Sequence, residues 1–249
     1  MTKRKTYKRS SNTSRKDAEI KDIPKIMERN TLEKSFKINQ KFELTPAHKS
    51  FVGLCYSPDA KLMFVDGPAG TAKTYCAALT ALNLLKSHRV DEIIYIRSII
   101  ESASKSMGAL PGEVDDKFLP WTLPLQEKLA EIVSSSTSRM LFEKGIVKAV
   151  PVNYVRGLTF KDSVVIVDEA QNLTRSELIT ILTRFGEDSK MIVIGDCMQS
   201  DIHKSGFSDI FNTFDDTESE ENGVYCFKFT DEDIMRSEML KFIVRKLEE

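Results

Sequence analysis

Cysteine is scarce in this chain of 249 residues, and its four copies, Cys55, Cys76, Cys197 and Cys226, lie far apart with no C-x-x-C pair. That spacing argues against zinc and against a disulfide framework, and leaves the four as small buried hydrophobes. Long apolar runs are missing too, none approaching the roughly eighteen residues of a membrane span. The amino terminus is charged rather than apolar, so no secretory signal is expected and the cytoplasm is the expected compartment. Net charge is almost absent, at -1, but it is unevenly spread: Lys3, Arg4, Lys5, Lys8, Arg9, Arg15 and Lys16 all precede the first acid, Asp17.

What is present is an ordinary globular composition, 41% hydrophobic and 29% charged, enough for one large α/β domain or two small ones. We read one domain over residues 36–249 behind a basic, disordered arm over residues 1–35, since the arm is rich in Ser and Thr and lacks apolar periodicity. The arm is either a solubilising tail or an electrostatic contact to nucleic acid. Asp215 to Glu221 reads as an acidic surface loop.

From residue 61 onward, apolar runs of four to six residues alternate with helical patterns, the signature of a parallel sheet with crossover helices. Strands are expected at Leu62–Val65, Glu92–Arg97, Val147–Val150, Val164–Asp168, Met191–Gly195 and Val224–Phe229. Helical spacing marks Thr74–Leu85, Ser176–Arg184 and Ser237–Leu247.

The first strand runs into "VDGPAGTAKT", one residue short of the phosphate-binding loop G-x-x-x-x-G-K-[ST], because Ala72 stands where the second glycine belongs. Strand, loop and helix follow in the right order. The backbone N–H groups of Gly67, Pro68, Ala69, Gly70, Thr71 and Ala72 that remain after proline's is discounted would face phosphates with the helix amino terminus. Lys73 would neutralise the β and γ phosphates and Thr74 would ligate magnesium. A positive φ at Ala72 would strain the loop by about 1 kcal/mol without removing its N–H.

A buried strand ending in carboxylates, "VVIVDEAQN", complements the loop. Asp168 is placed to hold the magnesium hydration shell, and Glu169 to orient the attacking water. A third strand, "MIVIGDCMQSD", offers Gln199 either as a sensor of the γ phosphate or as part of a turn with no catalytic role.

With these motifs the chain resembles the phosphate-starvation-inducible PhoH family of P-loop ATPases, related to the first core domain of superfamily 1 helicases. The resemblance runs from about Thr45 to the carboxyl end. It is carried by "GPAGTAKT", "RSIIESASKSMGALPGEVDDKFLPW", "YVRGLTFKDSVVIVDEAQNLT", "ILTRFGEDSKMIVIGDCMQSD" and "DIMRSEMLKFIV". It implies a single α/β P-loop NTPase domain, a RecA-like, mostly parallel sheet flanked by helices, with ATP and Mg2+ as ligands and hydrolysis as the activity. Two departures stand out: Ala72 for glycine, and His48 in "LTPAHKSF" near the place of an adenine-reading glutamine. His48 is either a base contact or an ordinary helix residue.

The resemblance also implies contact of Arg97 and Ser98 with single-stranded RNA or DNA, although Arg97 serves equally well as a structural ion-pair residue. No second helicase core domain fits in this length, so translocation by the chain alone is not expected. A head-to-tail homo-oligomeric ring, a hexamer, would let a neighbour supply the missing arginine, with Arg156, Arg184 and Arg236 as candidates. The rival reading is a nucleotide-gated nucleic-acid-binding or scaffold protein with negligible hydrolysis. Lys73, Thr74, Asp168, Glu169 and Gln199 are all present, which favours the ATPase.

Overall fold

Side chains alternate between the two faces of a central sheet. In β1 (Leu62–Asp66), Met63 and Val65 face one way and Phe64 the other; in β4 (Ser163–Asp168), Val164 and Ile166 oppose Val165 and Val167. Strands apolar on both faces need cover on both, the condition a parallel sheet meets with crossover helices. The structure, a computed structural model, describes residues 36–98, 114–202 and 204–235, together with Met239 and Lys246. The basic arm, Arg236 and nearly all of the helix expected over 237–247 lie outside the described residues.

Among the described residues the sheet has six strands in the order β3-β2-β4-β5-β1-β6, and every neighbouring pair is parallel. Its other members are β2 (Glu92–Arg97), β3 (Val147–Ala149), β5 (Lys190–Ile194) and β6 (Val224–Lys228). All six expected strands are present, with no end shifted by more than one residue. On one face lie α1 (Pro46–Tyr56), α2 (Lys73–Lys86), α3 (Val114–Ile132) and α4 (Ser135–Glu143). The other face is covered by α5 (Arg175–Leu182) and α6 (Phe207–Phe214), through Leu178, Ile181, Phe207, Ile210 and Phe211.

The periodicity of α2 suggested one apolar stripe, yet the structure buries most of its circumference, from Tyr75 through Leu82. The helix lies on the sheet and is flanked by α1 and α3, so Ala77, Ala78 and Ala81 permit close approach where larger residues would not fit. Thr80 stays satisfied inside by donating its hydroxyl to the Cys76 carbonyl at 2.9 Å. The acidic segment expected as a loop contains a short helix, α7 (Thr217–Glu221), because the Asp216 carboxylate caps it by accepting from the Ser219 N–H at 2.7 Å. Among the described residues no helix is long and apolar enough to cross a membrane.

The strand order puts β5 between β1 and β4, so the carboxyl ends of β1, β5, β4 and β2 open side by side along one edge. In open parallel sheets ligands bind at that edge. The phosphate-type loop, Asp196, Asp168 with Glu169, and Arg97 all leave the sheet there.

Candidate nucleotide site

The loop after β1 needs glycine first at Gly67, where φ is 153° and an added Cβ would stand 2.7 Å from the Phe229 Cβ. It turns into α2 through Ala72, which has φ 55° and ψ 25°. The left-handed region is thus occupied by a residue with a Cβ, at a cost of about 1–2 kcal/mol. Two contacts brace this turn. Thr71 donates its hydroxyl to the Pro68 carbonyl at 2.9 Å, and its own carbonyl accepts from His48 Nε2 at 2.9 Å.

His48 is fully buried, and its Nδ1 faces the Thr45 hydroxyl at 2.7 Å and the Thr45 N–H at 3.3 Å. A carbonyl can only accept, so the proton sits on Nε2 and Nδ1 is the acceptor. The expectation that His48 reads adenine is therefore corrected: both ring nitrogens are engaged, and no ring edge is left for a base. His48 instead joins the start of α1 to the phosphate-type loop.

Lys73 folds back on the loop, donating to the carbonyls of Gly67 and of Pro68, the latter at 2.9 Å. Burial pulls its pKa below the ordinary lysine value, against the opposing pull of Asp196, Asp168, Asp66 and Glu169. Thr74 donates its hydroxyl to Asp168 Oδ1 at 3.0 Å, which joins the start of α2 to the end of β4. The other oxygen of Asp168 accepts from the Tyr95 hydroxyl at 2.6 Å. Tyr95 was missed in the sequence, although a tyrosine inside "EIIYIR" signals a hydroxyl that needs a partner within the sheet.

Glu169 follows in the left-handed region, with φ 54° and ψ 41°. Its carboxylate accepts from Gln171 Nε2 at 2.7 Å and lies 3.6 Å from the Arg97 guanidinium. The Gln171 side-chain oxygen Oε1 accepts in turn from the Asp196 N–H at 3.2 Å. Gln171, also missed, thereby bridges the ends of β4 and β5; only its place in "DEAQN" hinted at it. Asp196 accepts from the Met198 N–H at 3.0 Å through Oδ1, while its buried Oδ2 has no hydrogen-bond partner. Burial raises the Asp196 pKa above the usual carboxylate value.

These groups surround one cleft of about 460 Å³, whose lining includes Lys73, Thr74, Asp168, Glu169, Gln171 and Gln199. A cleft of this size lies within the usual range for small-molecule sites. Arg97 lies in the cleft wall and pairs with Glu169. Arg156 is exposed on the loop before β4. Arg184 is not brought to the cleft: it follows α5, and its carbonyl accepts from the Phe160 N–H at 2.9 Å, at the opposite edge of the sheet. Arg236 lies outside the described residues.

The chain also resembles known proteins in sequence. The family described as PhoH-like protein matches residues 44–248. A PhoH-like protein of Bacillus subtilis (strain 168) is 42% identical over 143 residues, 57% of this chain and 44% of the relative. A PhoH-like protein of Synechocystis is 37% identical over 188 residues, 74% of this chain and 56% of the relative. Protein PhoH of Escherichia coli (strain K12) is 37% identical over 182 residues, 71% of this chain and 50% of the relative. The chain thus spans about half the length of the curated relatives it matches. With the loop and the acidic strand end both inside the matched region, the chain belongs to the PhoH-like family.

Proposed function

We propose that the chain binds ATP with Mg2+ in this cleft and hydrolyses it. The observation that carries the reading is the Thr74–Asp168 hydrogen bond, which holds the two halves of a phosphate and metal site together beside Lys73 and Glu169. The donor set fits: a hydroxyl and a carboxylate suit a hard cation, and the orphaned Oδ2 of Asp196 gives Lys73 a neighbouring counter-charge. Thr74 and Asp168 would hold the magnesium ion, which supplies charge neutralisation at the β and γ phosphates.

Lys73 exchanges its two loop carbonyls for phosphate oxygens, and the loop N–H groups bind the rest. Glu169, aimed by Gln171, accepts a proton from the attacking water as the bond from γ phosphorus to the bridging oxygen breaks and ADP leaves. Gln199 touches the γ phosphate from the exposed side of the cleft. Arg97 must first release Glu169. Their pair is half-exposed and contributes only about 0–1 kcal/mol, so a ligand readily displaces it.

Phosphate release by the purified chain, with and without Mg2+ and with and without single-stranded RNA or DNA, tests the reading. Absence of release under every condition, with nucleotide bound, would favour a nucleotide-gated binding or scaffold protein. The Arg97–Glu169 pair and the Ala72 turn are the features that point that way. We further propose a cytoplasmic homo-oligomeric ring, a hexamer, in which a neighbour's Arg184, Arg156 or Arg236 completes the site. Mixing an arginine variant with the Lys73→Ala chain should restore partial activity if the arginine acts across the interface.

A further inference from the structure

His48 being spent on the loop leaves open what receives the nucleobase, and the cleft extends beyond Thr74 to an answer. Its lining continues through Tyr75, Phe42 and, on α3, Pro124, Lys128 and Glu131. Among the described residues that line it, Phe42 and Tyr75 alone are aromatic. Tyr75 follows Thr74 directly on the first turn of α2 and is buried. Its hydroxyl accepts from the Lys41 N–H at 3.2 Å, which ties the segment before α1 to that turn.

Phe42 rests on Tyr75 with ring centroids 4.4 Å apart and planes tilted by 38°. Tyr75 therefore covers one side of the ring and fixes its position, while the half-buried ring of Phe42 also contributes to the cleft wall. An aromatic ring held from behind, with part of its surface lining the cleft, suits a flat, apolar ligand face, and every nucleobase has one. Lys128 and Glu131, paired at 3.2 Å on the α3 rim, supply charge at the border rather than on the shelf. Phe42 precedes the matched residues 44–248, so the shelf comes from outside the family match.

We infer that Phe42 is the base-stacking shelf of the nucleotide site, with a purine ring lying on it while the phosphates occupy the loop from Gly67 to Thr74. This inference rests on the nucleotide-binding reading above, and inorganic tripolyphosphate separates the two, because it has phosphates and no base.

The full chain, Phe42→Ala, Phe42→Leu and Phe42→Trp are titrated calorimetrically with ADP, with tripolyphosphate and with inorganic pyrophosphate, each with Mg2+. The shelf requires that Phe42→Ala weaken ADP by about tenfold or more and leave tripolyphosphate within about twofold of the parent. Phe42→Leu, which keeps apolar packing on Tyr75, should weaken ADP in the same direction, and Phe42→Trp should retain parent affinity. An ADP loss below about twofold in both the Ala and Leu variants, or an equal loss for tripolyphosphate, overturns the shelf. If the parent binds ADP no better than inorganic pyrophosphate, which carries the same two phosphates, the shelf fails while the phosphate loop stands. If the parent binds none of the three, the nucleotide reading itself fails and takes the shelf with it.

Discussion

Thr74 and Asp168, 94 positions apart in the chain, meet in a 3.0 Å hydrogen bond that closes the two halves of the cleft. Asp168 is held from its other side by Tyr95, which is fully buried in β2. Tyr95→Phe would leave that carboxylate oxygen without its donor. A buried hydrogen bond to a charged group contributes about 1.5–3 kcal/mol. We expect urea denaturation to show a loss of that order, with the native fold retained in weak denaturant.

Lys73 and Glu169 should separate binding from turnover. Lys73→Ala removes the fixed cation and should weaken nucleotide affinity at least about tenfold in a calorimetric titration. Glu169→Gln keeps the shape and the reach to Gln171 but cannot take a proton from water. Affinity should stay within a few fold while turnover falls by about 10²–10⁴, as loss of a general base does. Undiminished phosphate release would remove Glu169 from the mechanism.

Ala72 and His48 act on the same turn in opposite senses. Ala72→Gly relieves the left-handed strain but adds freedom to the unfolded chain, so the net gain in stability should stay below about 1 kcal/mol. Nucleotide affinity should change by less than about tenfold. His48→Ala deletes the brace on the Thr71 carbonyl and should weaken tripolyphosphate and ADP alike. A loss confined to ADP would return His48 to the role of base reader.

Cys76 gives the chain a pH signature. Burial pushes its thiol up to about 12, whereas in the unfolded chain it ionises near 9. Between those values the folded state holds a proton that the unfolded state has lost, so stability falls as pH rises. At pH 10 the loss from this group is about 1.4 kcal/mol. Cys76→Ala should lose correspondingly less between pH 8 and pH 10 in parallel urea titrations.

The β1 loop and the β4 carboxylates were legible because each is a local word, a run of apolar residues followed by a few chemically distinctive ones. Strand positions were legible for the same reason, since both faces of the inner strands β1, β2, β4 and β5 are buried and no alternation confuses the run. Partnerships were not legible. That Tyr95 meets Asp168, or that Gln171 spans to Asp196, depends on β2 and β5 each lying beside β4, and nothing in the local sequence states strand order. His48 stayed open between a base contact and a helix residue because its likeness in place to the family's adenine-reading glutamine says nothing of packing, and packing seals the imidazole behind Thr71. The capping turn at Asp216 was hidden by the composition of its acidic run, which reads as solvated whether helical or not.

The strand order also has a consequence for how the chain emerges from a ribosome. β1 is made early, yet both its sheet neighbours, β5 and β6, belong to the last third of the chain. At translation rates of about 5–20 residues per second, β1 waits roughly six to twenty-five seconds before its β5 edge can pair fully. The glycine loop during that interval follows a strand with nothing to register against, so nascent chains halted before Lys190 should capture no nucleotide, even though every residue of the loop has already been synthesised.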